Sequence, residues 1–191
     1  MTALRNNWKC FAVVDLTMIT IISATNRKDS NTLRVAKEYA RLLADRGFPH
    51  QLLHLDNLPA SLLSSDSYDD EDPAFTALQE QYLFKADKFI FVAPEYNGSV
   101  PGVLKLLIDA ADIEQAFYYK KALLVGVATG RAGNLRGMDH LSAILQHMKM
   151  EVHWNRLPIS KVADELDADE QFFKENTVRA VNKQVELFVG W

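Results

Sequence analysis

The chain has 191 residues, 48% of them apolar and 24% charged, which is ordinary usage for one globular domain with a substantial core. A formal net charge of -4 leaves no basic surplus for a phosphate backbone or an anionic membrane surface, so neither nucleic acid nor membrane is expected as a partner. The single cysteine, Cys10, cannot form an internal disulfide, and a reducing, cytoplasmic setting is expected.

Residues 1–17 hold one apolar cluster, 10–14, closed by Asp15. It is too short to span a bilayer, and no convincing cleavage site for a signal peptide follows it. These residues are read as an N-terminal extension to a core domain of residues 18–191. No chemistry is recognisable in them.

From Met18 onward, apolar runs alternate with helix-period segments, the pattern of repeated βαβ units around a parallel sheet. Strands are predicted at 18–23, 50–55, 88–93 and 121–128, with a weaker one over 151–160, five in all. The third and fourth are almost continuously apolar, as strands covered on both faces should be. Leu33, Ala36, Ala40 and Leu43 recur at helical spacing, with Arg34, Lys37, Glu38 and Arg41 on the other face. Asp72 and Pro73 supply an N-cap and a first-turn proline for a helix burying Phe75, Leu78 and Tyr82. Met138, Leu141, Leu145 and Met148 mark another helix, and Val178, Val181, Val185 and Phe188 the last. Segment 58–72, rich in Ser and Asp and without apolar period, reads as a long surface loop. It lacks the ligand spacing of an EF-hand, and no metal is assigned to it.

Three loops that follow strands carry the polar chemistry. Residues 24–32 (A-T-N-R-K-D-S-N-T) lead straight from the first strand into a helix. Helix N-terminal amides, the hydroxyls of Thr25, Ser30 and Thr32, and the Arg27 guanidinium suit a phosphate, while Ser30 or Asn31 also serves as an ordinary helix cap. The G-x-x-x-x-G-K-[ST] and G-x-G-x-x-G patterns are both missing, which argues against an NTPase or a dinucleotide-binding Rossmann domain. For five strands separated by helices the natural fold class is α/β, a flavodoxin-like three-layer α/β/α sandwich with a parallel sheet in the order 2-1-3-4-5. Its ligand crevice opens between the first and third strands, so the loop after strand three should meet the same ligand.

That loop reads P-E-Y-N-G-S-V-P-G-V-L-K-x-x-I-D from Pro94 to Asp109. The run closely resembles the signature of the NAD(P)H-dependent FMN reductase family, which includes quinone, azo-dye and chromate reductases. The family's first loop resembles G-S-x-R-x-x-S-x-N; Thr25, Arg27 and Ser30 fall at matching places, whereas Ala24 replaces a common glycine and Asn31 directly follows Ser30. By this resemblance Thr25, Arg27, Ser30, Asn31 and Thr32 hold the FMN phosphate, and Pro94, Glu95, Tyr96, Asn97 and Gly98 line the isoalloxazine. The third loop, 128–134, resembles the family's glycine-containing loop at the ring, with Thr129, Gly130, Arg131 and Gly133 as candidates. Judged by itself, it is equally a plain strand-to-helix turn.

The resemblance implies an NAD(P)H oxidoreductase, with hydride passing from NADPH or NADH through flavin N5 to a small acceptor: a quinone, azo compound, metal oxyanion or free flavin. No side chain is nominated as a general acid or base. His140, His147 and His153 are scattered and read as structural, and no G-x-S-x-G hydrolase elbow is present. A non-enzymatic FMN electron carrier or a flavin sensor on the same fold is the alternative. Family kinship further implies a homodimer or homotetramer, with the aromatics Phe117, Tyr118, Tyr119 and Trp154 as core, interface or pocket residues.

Overall fold

The computed structural model describes residues 17–64 and 72–191. The N-terminal extension up to residue 16 and the acidic stretch 65–71 lie outside the described residues. Among the described residues there are six strands: β1 (Ile19–Ser23), β2 (His50–His54), β3 (Lys88–Pro94), β4 (Lys121–Val127), β5 (Glu151–Val152) and β6 (Leu157–Ile159). With them stand six α-helices: α1 (Asn31–Ala44), α2 (Pro73–Leu78), α3 (Gly102–Ala110), α4 (Ile113–Ala116), α5 (Leu135–His147) and α6 (Glu175–Val189). Every strand pair is parallel and the order is β2-β1-β3-β4-β5, with β6 also paired to β4. This is the flavodoxin-like arrangement.

The central strand explains the layering. Side chains alternate across a strand, so Phe89 and Phe91 enter the core formed with α2, α3 and α5, while Ile90 and Val92 enter the core formed with α1 and α6. Both faces are covered, and β3 is buried along its whole length. Lys88 opens it buried, and its ammonium donates to the carbonyls of Phe188 (3.3 Å) and Val189 (3.0 Å), partnering the C-terminal end of α6. Asp72 caps α2 as expected, accepting from the amides of Ala74 and Phe75. The helix then widens into a π-helical stretch over Gln79–Phe84. Among the described residues, no helix is long and apolar enough to cross a membrane.

Three sequence expectations need correction. Glu38, expected on the solvent face of α1, is buried beside the covered residues Val35, Tyr39 and Leu42. Arg41 holds its carboxylate through two hydrogen bonds of 2.7 Å each. Segment 58–72 is not a plain loop where it is described: a 3-10 turn at Ala60–Leu63 buries Leu62 against the core. The third correction concerns the sheet edge.

The expected strand over 151–160 is split in two. β5 sets Val152 opposite Ala122, and β6 resumes with Leu157 opposite Val125, so two extra residues bulge out of the edge between them. Gln184 of α6, fully buried, fills the gap: its side-chain amide donates to the carbonyls of Leu124 (3.3 Å) and Asn155 (2.7 Å). Its oxygen accepts from the Tyr39 hydroxyl, whose pKa burial pushes up, so that it stays a donor. One side chain thus replaces a missing ladder bond and ties α1, β4 and α6 together.

At the same edge, His153 is buried beside three aromatic rings, stacked with Trp154 (5.4 Å between centroids) and edge-on to Trp191 (5.0 Å) and Phe188 (6.1 Å). Its Nδ1 accepts from the Asn155 amide at 3.2 Å, which requires the unprotonated form, and burial lowers its pKa.

Gln184→Leu leaves two carbonyls and a tyrosine hydroxyl unpaired and should cost about 2–4 kcal/mol, read from urea unfolding; Tyr39→Phe should cost about 1 kcal/mol. Because the folded state resists protonating His153, its contribution is fully present above the ordinary imidazole pKa of about 6.5 and is lost as pH falls through the lowered folded value. Thermal midpoints should therefore drop below about pH 6.5, and His153→Phe should flatten that slope.

Candidate functional site

Parallel pairing delivers the C-terminal ends of β1, β3 and β4 to one edge, in register: Ser23 lies opposite Val92, and Pro94 opposite Val127. The three loops therefore leave side by side. The first is anchored by the Ala24 amide on the Val92 carbonyl (2.9 Å), and turns through Asp29 at φ +51°, a left-handed conformation that Asp tolerates better than most residues. Ser30 then caps α1, its hydroxyl accepting from the Leu33 amide at 3.1 Å. The cap occupies that one amide; among the described residues, those of Asn31 and Thr32 have no partner and carry the positive end of the helix dipole.

The second loop is a tight hairpin. Tyr96 and Ser99 exchange backbone hydrogen bonds of 2.9 and 3.1 Å around Asn97 (φ +52°) and Gly98 (φ +77°), the type I′ geometry that an Asn-Gly pair favours. The Glu95 amide bonds the Val127 carbonyl (3.1 Å), and Ser99 Oγ meets His140 Nδ1 at 2.9 Å. Tyr96 reaches the first loop twice. Its hydroxyl is 2.7 Å from Thr25 Oγ1, and the Arg27 guanidinium lies 4.5 Å from its ring centroid.

The third loop is drawn tightly onto the sheet. A Cβ at Gly126 would come within 2.1 Å of the Gly133 carbonyl oxygen, and one at Gly133 within 2.6 Å of Pro158 Cβ, so both positions require glycine. Asn134, fully buried, donates from Nδ2 to the Ala93 carbonyl at 2.8 Å, and its side chain fills the space that a Cβ on Gly137 would take. The far side is held by Ser160 Oγ donating to the Arg131 carbonyl (2.7 Å) and the Lys161 amide donating to Gly130 (2.9 Å).

Together the loops enclose a cleft of about 550 Å³, within the ~300–1,000 Å³ typical of small-molecule sites. Of the candidates, Arg27, Ser30, Asn31, Thr32, Pro94, Glu95, Tyr96, Asn97 and Thr129 line it. A smaller hollow of about 330 Å³ shares Glu95, Asn97 and Thr129 and extends the site over Gly98, Gly130 and Arg131. Thr25 is fully buried and meets the cleft through Tyr96. Gly133 does not line either space; it packs against Pro158. Lys28 and Asp29 lie in the wall, so its charge is mixed. Val162 also lines the cleft, and Gly126, Asn134 and Gly137 shape it; sequence reasoning overlooked all four. Only the glycines carried a legible signal, interrupting an apolar strand and a helix.

The three histidines stay apart, His140 on Ser99, His147 beside a separate apolar hollow between α3 and α5, and His153 at the sheet edge. Phe117 is core, packed 5.7 Å from Phe89, whereas Tyr119 and Trp154 are exposed. Among the described residues, no group of His, Cys, Asp and Glu is arranged to hold a metal.

Comparison with known proteins places this geometry. A 2-hydroxy-1,4-benzoquinone reductase of a Burkholderia species is 25% identical over 177 residues, spanning 91% of this chain and 94% of that protein. An NAD(P)H-dependent FMN reductase of Pseudomonas aeruginosa is 33% identical over 124 residues, 62% of this chain and 65% of its own length. Among solved structures, FerB, a flavoenzyme NAD(P)H:(acceptor) oxidoreductase from Paracoccus denitrificans, superposes with a TM-score of 0.80 at 24% identity, covering 92% of this chain and 96% of its own. The profile of the NADPH-dependent FMN reductase family matches residues 17–163, a stretch that includes all three loops and the strands carrying them, and by that match the chain belongs to this family of oxidoreductase enzymes.

Proposed function

We propose that the 550 Å³ cleft holds FMN and that the enzyme uses it to reduce a small acceptor at the expense of NADPH or NADH. One observation carries the reading: the unpartnered amides of Asn31 and Thr32, the Ser30 hydroxyl and the Arg27 guanidinium converge beside a hairpin that presents an aromatic ring, Tyr96. The fit to a phosphate monoester joined to a flat ring system is chemical as well as spatial. Ser30 Oγ accepts from Leu33 and keeps its own proton to donate, so helix capping and phosphate binding are compatible. Gly130, with open space where a side chain would stand, lets main chain approach a ring edge.

The chemistry that bound FMN supplies is hydride acceptance from a nicotinamide at N5 and electron delivery to the acceptor. The chain's own residues bind and orient. Arg27 and the α1 amides neutralise the phosphate, Tyr96 and Pro94 offer apolar surface to the ring, and Asn97 and the backbone of Thr129 and Gly130 offer hydrogen bonds to its polar edge. Asn134 is a positioning residue, holding the third loop to the end of β3. Kinship with the Burkholderia quinone reductase favours a quinone among the possible acceptors. A homodimer or homotetramer, which rests on family resemblance, and a cytoplasmic location, which rests on the single cysteine, belong to the same proposal; a light-scattering mass near 21.6 kDa would remove the oligomer.

The test is the visible spectrum of the purified protein with FMN, recorded anaerobically before and after NADPH and, separately, NADH. Perturbed bands that bleach rapidly support the proposal; bands that stay perturbed but do not bleach reject hydride transfer, and unperturbed FMN rejects the site. Arg27→Ala should weaken FMN binding by about tenfold, the size of one charge-assisted hydrogen bond. Gly137→Ala, by displacing Asn134, should cost about 1–3 kcal/mol of stability and lower FMN affinity without touching the cleft wall, measured by denaturation and by quenching of flavin fluorescence.

A further inference from the structure

Arg27 stands in two relationships at once. It lines the same cleft as the unpartnered amides of Asn31 and Thr32, and its guanidinium covers the Tyr96 ring at 4.5 Å. Tyr96 is in turn fixed from below, its hydroxyl 2.7 Å from the buried Thr25 Oγ1, which also accepts from the Arg27 amide at 3.3 Å. The tyrosine therefore cannot swing away from the guanidinium without breaking that hydroxyl contact; the exposed arginine side chain can move alone.

We infer that Arg27 and Tyr96 form a selectivity device for phosphorylated flavin, in which a phosphate at the α1 N-terminus draws Arg27 off the Tyr96 ring and so opens that ring face to the isoalloxazine. The inference rests on the reading of the cleft as an FMN site. Its physical basis is a competition for one cation. A partly exposed cation–π contact is weak, whereas a guanidinium–phosphate pair beside a helix N-terminus is charge-assisted and supported by the dipole. Phosphate wins the arginine, and the ring face it leaves becomes available. Occupancy of the phosphate half thus favours occupancy of the ring half, and by linkage the reverse holds equally. A flavin without its phosphate meets a covered tyrosine and must displace the guanidinium with no compensating partner. Thr25 keeps Tyr96 in place throughout, which makes the exchange a movement of one side chain.

Riboflavin and inorganic phosphate separate the two halves of FMN and provide the test. Riboflavin affinity is measured by fluorescence quenching in saturating phosphate and in chloride at equal ionic strength, with FMN titrated alongside. Wild-type protein should bind riboflavin about two- to fivefold more tightly in phosphate, the reach of a contact of this kind. Arg27→Ala should bind riboflavin in chloride as tightly as wild type does in phosphate, with no further gain from phosphate, while losing affinity for FMN. Tyr96→Leu should abolish the phosphate effect, and Tyr96→Phe, which keeps the ring but loses its hold on Thr25, should retain part of it. Riboflavin affinity indifferent to phosphate, or weakened by Arg27→Ala, overturns the inference while FMN binding stands; that result means the guanidinium binds phosphate by its edge without leaving the ring. Failure of wild-type protein to bind FMN overturns the site assignment itself and the inference with it.

Discussion

The register of β3 between its two neighbours is the constraint on which the site depends. Ser23 of β1 and Val125 of β4 both lie opposite Val92, so the three strands end within a few residues of one another at one edge of the sheet. A slip of one residue would exchange the two faces of β3, driving Phe89 and Phe91 toward α1 and α6 and Ile90 and Val92 toward α3 and α5. It would also shift the second loop relative to the first and separate Tyr96 from Thr25 and Arg27. Core packing thereby holds the cleft in shape: the same alternation that buries β3 on both sides sets the level at which its loop emerges.

Buried polar groups pin the elements that packing alone leaves free to slide. Gln184 bridges the broken edge of β4 to α6 and Tyr39, Lys88 ties the start of β3 to the end of α6, and Asn134 ties the third loop to the end of β3. Each lies deep enough that an absent partner would leave a desolvated polar atom, so each bond specifies one arrangement over its near neighbours. All three act between elements far apart in sequence. The cleft wall mixes long side chains, among them Arg27, Lys28, Glu95 and Tyr96, with small ones such as Ser30, Ala128 and Thr129. Gly126 and Gly133 shape it indirectly, by letting the third loop lie flat on the sheet.

The fold was readable in the sequence to a large degree, because its signals are local. Apolar runs at 88–93 and 121–128 and helical periods between them follow from burial on two faces or one, and the parallel order follows from the alternation of the two. The candidate residues were readable for a related reason: short loops that succeed strands in an open α/β sheet must meet at one edge, whatever their detailed shape. Twelve of the fourteen candidates border one of the two adjoining spaces; Thr25 meets them through Tyr96, and Gly133 packs against Pro158.

The sequence by itself thus determined the class of fold, the order of its elements and the family, since periodicity, loop composition and the run from Pro94 to Asp109 are properties of contiguous residues. Tertiary structure alone decided what depends on residues far apart in the chain. The split of the last strand required Gln184 to satisfy the exposed carbonyl, and the pairing of Arg27 with Tyr96 required two loops to converge. A side chain's neighbours across the sheet leave no period in its own segment, and for that reason the polar bridges of this protein became visible only in three dimensions.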